Sequence, residues 1–440
     1  MNGTVTRVLD VLAVGGLLLL AAGLTAVAVT TLWWMLHAWR FPETLAATGF
    51  TRPGDLSPQV SFSLLVPARH EQAVLAGTLE RLLQIDHPDF EVLPVIGHDD
   101  EETMAVALAV QASHPDRVRV VVDHSWPKNK PKGLNSALPH CRNDVIGVFD
   151  AEDDVDPRLL RVVDAAFRST GSDPRPVDVV QGGVQLVNFR STWFSLRNCL
   201  EYFFWFRSRL HLQQQHGFIP LGGNTVFVRT SVLRDHGGYD PDCLAEDCEL
   251  GVRLSVAGAR IEVCYDAHLV TREETPDTLA SLVKQRTRWN QGFLQVLRKG
   301  VWRRLPTRRQ RLLARWTLAQ PLLQALTGVA VPVAVLSVLL VEMPVGLAML
   351  TWIPAVPTVA MLVFEAVALR EFCRVYLVRS RWSDYVVLVL GAFPYSLLLG
   401  LAALRAVWRE ARGQRGWEKT SHAGLHRGDA ALSTATTTHG

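Results

Sequence analysis

Two acidic stretches dominate the chemistry this sequence could carry. Residues 149–154 read FDAEDD and residues 245–250 read AEDCEL. The first follows an apolar run expected to be a strand. Alternate side chains on an extended segment point the same way, so Asp150 and Glu152 can converge on one site. Two hard oxygen ligands and a diphosphate are what Mg²⁺ or Mn²⁺ prefers. An acidic turn capping the next helix would use the same residues. In the second stretch, Glu246 and Asp247 precede an amphipathic run. Carboxylates at such a position suit a helix dipole, and Asp247 is also a candidate general base for a hydroxyl substrate.

Two basic stretches complement them. In NKPKGLNSAL, residues 129–138, Lys130 and Lys132 can reach a phosphate as point charges, and Gly133 permits close backbone approach. In VKQRTRWNQG, residues 283–292, an arginine fork can hold phosphate oxygens while tryptophan offers a flat face to a sugar ring. A solvated loop and a solvated helix face are the plainer readings of these two stretches. Together they suit a phosphate-linked sugar; no interleaved basic and aromatic patch points to nucleic acid. A third carboxylate pair, Asp99 and Asp100, follows another apolar run.

These residues need a scaffold. Apolar strands over residues 60–72, 90–97, 117–123 and 143–150 alternate with helical spacing, which predicts an α/β fold with a mostly parallel sheet. Ligands in such sheets bind beyond the carboxyl ends of the strands, where the acidic residues fall. No GxGxxG and no P-loop follows the first strand. The six cysteines are scattered without a CxxC pair, against a disulfide framework or structural zinc and in keeping with a reducing compartment.

The chain has 440 residues, 48% apolar and 20% charged, with a net charge of only +3. The apolar residues concentrate. Residues 11–36 carry no charge and end at Trp33 and Trp34, as an uncleaved transmembrane helix would. Residues 316–341, 343–364 and 385–404 are further uncharged runs. The expected organisation is a transmembrane helix over 8–40, a catalytic domain over 45–300, membrane or interface helices over 310–408 and a tail over 409–440. The arginine-rich exit near residues 298–315 places the domain in the cytoplasm by the positive-inside rule. Three later crossings would then put the basic tail outside, so one run is expected to be re-entrant or interfacial if the tail is cytoplasmic too. The aromatic, amphipathic residues 193–212 suit a helix lying in the membrane interface.

The order of motifs, HDDEE, DAED, AEDCEL and QRTRW, resembles the membrane-embedded family 2 glycosyltransferases with a GT-A domain, such as cellulose and hyaluronan synthases. The ending GWEKTSH, residues 416–422, is similar to that of bacterial relatives. The resemblance implies that Asp99 or Asp100 holds the nucleotide base, that Lys132 lies near the diphosphate, and that Asp150 and Glu152 hold Mg²⁺ or Mn²⁺. It implies Asp247 as general base with Glu246 beside it, and Gln285, Arg288 and Trp289 closing over the diphosphate. Two positions depart from the pattern: Glu152 is the second D-x-D carboxylate, with Asp153 next to it, and Ala245 replaces a threonine. The implied activity is inverting transfer from UDP-glucose or UDP-N-acetylglucosamine to a growing β-linked polysaccharide, by an integral protein of the bacterial cell membrane. The alternative acceptor is a lipid in the bilayer. A sugar-binding transporter or receptor is the reading from another class, and carboxylates concentrated outside the spans speak against it.

Overall fold

The computed structural model describes residues 2–40, 45, 57–169, 174–340 and 345–418. Most of the expected tail, and residues 419–422 of GWEKTSH, lie outside the described residues. Nine strands form: β1 (Phe62–Ala68), β2 (Phe90–Gly97), β3 (Val121–Asp123), β4 (Val145–Val148), β5 (Val179–Gly182), β6 (Val184–Leu186), β7 (Val226–Arg229), β8 (Ile261–Cys264) and β9 (Thr271–Glu273). Seven of them make one sheet in the order β3-β2-β1-β4-β7-β5-β8, and β6 pairs with β9 in a small parallel ribbon.

The central strands are mostly apolar because both faces are covered. Phe62, Leu64 and Val66 pack on one side against Leu75, Leu79 and Leu82 of the Leu75–Leu83 helix. Leu65 faces the other side, with Val95 and Leu134. The pairings are parallel except for β7, which runs antiparallel between β4 and β5. That reversal carries the loop before β7 to the carboxyl end of β4: Thr225, at φ 50°, donates its N–H to Val148 O at 2.7 Å, and its own carbonyl accepts from Gly182 N.

Residues 193–215 form a helix over Ser195–Phe204, a single π-helical turn over Trp205–Arg209 and a last α turn over Leu210–Gln215. Arg197 pairs with Glu365 (2.7 and 3.1 Å) and Arg207 with Glu371 (2.5 Å), which fastens this element to the Ala355–Val375 helix. Ser208 Oγ also donates to the carbonyl of Trp34, at the end of the N-terminal helix.

Among the described residues two helices are long and apolar enough to cross a membrane, Val14–Arg40 and Val345–Val375. Two bent pairs reach that length only when joined: Arg308–Leu318 with Gln320–Leu336, at 48°, and Trp382–Leu390 with Ala392–Ala411, at 47°. The helices Gln320–Leu340 and Ala392–Ala411 meet at Gly328 and Gly400, where a Cβ added at either would lie 2.7–2.8 Å from the other's Cα. After Ala411 the chain turns at Gly413 (φ 67°) and runs back along the Leu279–Lys299 helix. Gln291 Nε2 donates to Gln414 O at 2.6 Å and Arg409 to Gly416 O at 2.9 Å. Glu418 then accepts from Arg405 (2.6 and 2.7 Å) and Arg409 (2.8 Å). All six cysteines are buried and unbridged.

Candidate active site

The acidic loops meet at the carboxyl ends of β1, β2 and β4 around a cavity of about 910 Å³. Asp150 and Glu152 line it, and so do Glu246, Asp247 and the helix residues Gln285, Arg288 and Trp289. Asp153 turns the other way. It accepts the Asp150 N–H at 2.8 Å and both its oxygens lie 3.0 Å from Asn224 Nδ2, so it ties the FDAEDD turn to the loop before β7. Burial pushes its carboxyl well above the usual range, with Glu273, Asp150 and Glu152 adding to the effect. The carboxylates of this motif that line the cavity are therefore Asp150 and Glu152.

Of Lys130 and Lys132, the one that reaches the cavity is Lys130. Asn129 caps the short helix Lys130–Ala137 by accepting the Lys132 N–H, which sends the two lysines in different directions. Lys130 Nζ contacts Asp150 Oδ1 at 2.5 Å and Gly223 O at 2.9 Å. Burial works against its charge, but Asp150, Glu246 and Asp247 outweigh it and raise its pKa. Lys132 lies outside the cavity lining, bonded to the carbonyls of Trp126 and Pro127.

Asp99 and Asp100 also lie outside the cavity lining. Arg69 grips Asp99 through two bonds of 2.9 and 3.1 Å and holds its carboxyl low. Asp100 caps the Glu101–Ser113 helix through the Thr103 N–H and also accepts the His70 N–H. The carboxylate at this edge that does line the cavity is Asp123, at the end of β3, with Ser125, Ser136 and Lys128 around it. Burial would raise its pKa, but these partners prevail and lower it. The sequence signal was available: Asp123 ends the third strand as Asp99 follows the second.

Glu246 and Asp247 open the Glu246–Val256 helix from Ala245. Burial, and then the neighbouring Asp247, push Glu246 up to about 7. Burial likewise raises Asp247, against the opposing pull of its backbone bonds, Lys130 and Arg288. A buried carboxylate tuned upward is what proton abstraction from a hydroxyl requires. Ala245, at the departure from the family pattern, has a packing reason: an added Cβ on Gly292 would lie 2.4 Å from Ala245 Cβ, so the QRTRW helix and the Glu246–Asp247 turn touch at backbone distance.

Arg288 lies over the ring of Trp417, its guanidinium carbon 4.3 Å from the centroid, and its Nε is buried without a bonding partner. Trp417 itself lines the cavity. Sequence reading noticed the GWEKTSH ending but gave it no place in the site. Arg286, which had no assigned role, pairs with Glu201 and Asn198 and stacks over Trp289 at 4.7 Å.

The donor set suits a divalent ion. Mg²⁺ is commonly bound by one or two carboxylates together with substrate phosphates, and Asp150 and Glu152 are two cavity carboxylates beside cationic groups able to receive such phosphates. Among the described residues no cluster of three or more His, Cys, Asp or Glu forms a self-sufficient metal cage.

Known proteins are similar to this chain in sequence and in fold. The chain is 28% identical over 250 residues to a β-monoglucosyldiacylglycerol synthase of Synechocystis sp., covering 55% of this chain and 50% of that protein. It is 23% identical over 280 residues to a poly-β-1,6-N-acetyl-D-glucosamine synthase of Staphylococcus epidermidis, covering 63% of this chain and 65% of that one. It thus spans about half to two thirds of these curated relatives. Among solved structures, the mannosyltransferase of Pyrobaculum calidifontis in complex with GDP-Man and Mn²⁺ superposes with a TM-score of 0.58 at 17% identity, over 90% of this chain and 99% of that one, a likeness of fold. The sequence model for "Glycosyltransferase like family 2" matches residues 58–292, which hold β1 through the QRTRW helix and most of the cavity's polar lining, and by that match the chain belongs to glycosyltransferase family 2.

Proposed function

We propose that the protein transfers a hexose, with inversion, from a UDP-sugar to a hydroxyl of a membrane lipid, the catalytic domain facing the cytoplasm. The observation that carries the lipid reading is the extent of the cavity. It runs from Asp150 and Asp247 to Val27, Thr31 and Met35 of the N-terminal helix, and to Leu323 and Met361 of the later ones. An acceptor anchored in the bilayer would reach Asp247 along that path. The likeness to the diacylglycerol glucosyltransferase is in keeping with it. A second reading, extension of a β-linked polysaccharide, has support in the likeness to the N-acetylglucosamine polymerase.

In the proposed reaction Asp247 takes the proton of the acceptor hydroxyl as its oxygen attacks the anomeric carbon from behind. The bond to the nucleoside diphosphate breaks, and Arg288 and Lys130 offset the charge that gathers on the leaving phosphate. Asp150 and Glu152 would hold Mg²⁺ or Mn²⁺, which when bound neutralises further charge at the diphosphate. Asp123 and Asp99, at the ends of β3 and β2, are the candidates to meet the base; Asp100 and Lys132 are committed to the backbone bonds described above. Gln285 and Trp289 would border the sugar.

The test is a screen of nucleotide sugars with the purified protein in lipid nanodiscs and Mg²⁺ or Mn²⁺. One glycolipid as product supports the lipid reading, and a ladder of long chains replaces it with the polymer reading. No turnover of any donor would overturn both.

A further inference from the structure

The cavity is lined by five arginines: Arg69, Arg197, Arg209, Arg286 and Arg288. Three are paired with carboxylates, Arg69 with Asp99, Arg197 with Glu365 and Arg286 with Glu201. Arg288 stands beside Glu246 and Asp247 and is assigned above to the donor phosphates. Arg209 has no such assignment. It closes the π turn, and its guanidinium lies between two indoles, 4.1 Å from the Trp34 centroid and 4.7 Å from that of Trp205. Its Nε and Nη2 are buried and bond to nothing.

A buried guanidinium with unmet donors is costly unless something supplies acceptor oxygens. The two rings restrict its plane, Arg209 lines the cavity, and an edge-on guanidinium fork matches a phosphate or carboxylate. Its depth is set by Trp34, near the end of the helix expected to span the bilayer, where tryptophan marks the level of lipid headgroups. The π turn itself displaces Arg209 from the regular helical series, a device that often re-aims a side chain at functional sites.

We infer that Arg209 is an anion-recognition point for the acceptor: the lipid carries a phosphate or carboxylate in its headgroup as well as the hydroxyl that is glycosylated. This rests on the lipid reading above and narrows it, since a neutral diacylglycerol would leave the Arg209 donors unmet.

The experiment compares phosphatidylglycerol, a uronic-acid diacylglycerol and neutral diacylglycerol as acceptors in nanodiscs of otherwise zwitterionic lipid. It uses the wild type, Arg209→Gln and Arg209→Lys, with UDP affinity measured in parallel. In the wild type, kcat/KM for one or both anionic acceptors should exceed that for the neutral lipid by at least about tenfold, the scale of one charge-assisted bond. Phosphatidylglycerol and the uronic lipid tell phosphate from carboxylate. Arg209→Gln should collapse that preference, and Arg209→Lys should keep part of it. Equal use of neutral and anionic lipids by the wild type overturns the inference whatever the variants do. So does an undiminished preference in Arg209→Gln, or a fall in UDP affinity with acceptor preference intact, which would assign Arg209 to the donor. Absence of any donor turnover would instead sink the glycosyl-transfer reading beneath it.

Discussion

Arg288 and Trp417 are stacked, one from the QRTRW helix and the other from the segment that returns after Gly413. The indole takes one face of the guanidinium and restricts the plane in which its donors point. A fork held in one plane loses less entropy on meeting phosphate oxygens than a free one.

Trp417→Ala should therefore lower kcat/KM for transfer by about 3- to 30-fold, the range of a partly desolvated cation–π contact. Trp417→Phe should recover much of the loss, because a smaller π face remains. Steady-state kinetics with a donor series checks both, with the unfolding temperature as a control for gross structure.

Asp247→Asn should lower transfer by about 10²–10⁴-fold, the share of a positioned base. The amide keeps the shape of the carboxylate, so UDP affinity should change little. Retained turnover would remove Asp247 from the role of base.

The acid side of the rate profile should be displaced upward. The Glu246–Asp247 pair must lose protons before a base is available, and burial raises both, Glu246 to about 7. The pair titrates as a unit, so the profile gives apparent values of the pair. kcat/KM should rise with pH across the range from 5 to 8, with its midpoint above that of an ordinary carboxyl. Stability runs the opposite way. Between 4.5, the ordinary Glu value, and about 7, folded Glu246 holds its proton more tightly than the unfolded chain does. Folding is thus favoured at the acid end and loses that advantage as pH rises through 7. Glu246→Gln should raise the melting temperature at pH 8 more than at pH 5.

Gly292→Ala tests the contact between the QRTRW helix and the Asp247 turn. The new methyl would lie 2.4 Å from Ala245 Cβ and 2.6 Å from Ala245 N, so one element must move. Overpacking of this kind costs about 1–3 kcal/mol. The expected result is a fall in kcat larger than the fall in UDP affinity, read from paired kinetic and binding measurements.

Much of this was legible in the sequence, and the exceptions have physical reasons. β1, β2 and β4 are mostly apolar runs, broken only by Ser63 and Glu91, and period and length identify such strands. The antiparallel β7 was not legible, because NTVFVR looks the same in either direction and only the sheet decides it. Asp150, Glu152 and Asp247, which line the cavity, could be singled out because paired carboxylates after a strand or before a helix are local signals. Lys130 and Lys132 could not be told apart by residue type; the Asn129 cap separates them. Arg209 and Trp417 were out of reach because their meaning depends on neighbours far along the chain, Trp34 for one and Arg288 for the other.

The return of the chain to Trp417 also fixes a count. Trp417 shares a cavity with Asp247, so in the proposed membrane placement the two stand on one side, and the polypeptide between them crosses the bilayer an even number of times. If the joined pair Arg308–Leu318 and Gln320–Leu336 leads away and Val345–Val375 leads back, the bent pair Trp382–Leu390 and Ala392–Ala411 must enter and leave on the same side. A fluorescent reporter inserted directly after Glu418 is then expected on the same side as Asp247, where protease added from the opposite side would not remove it.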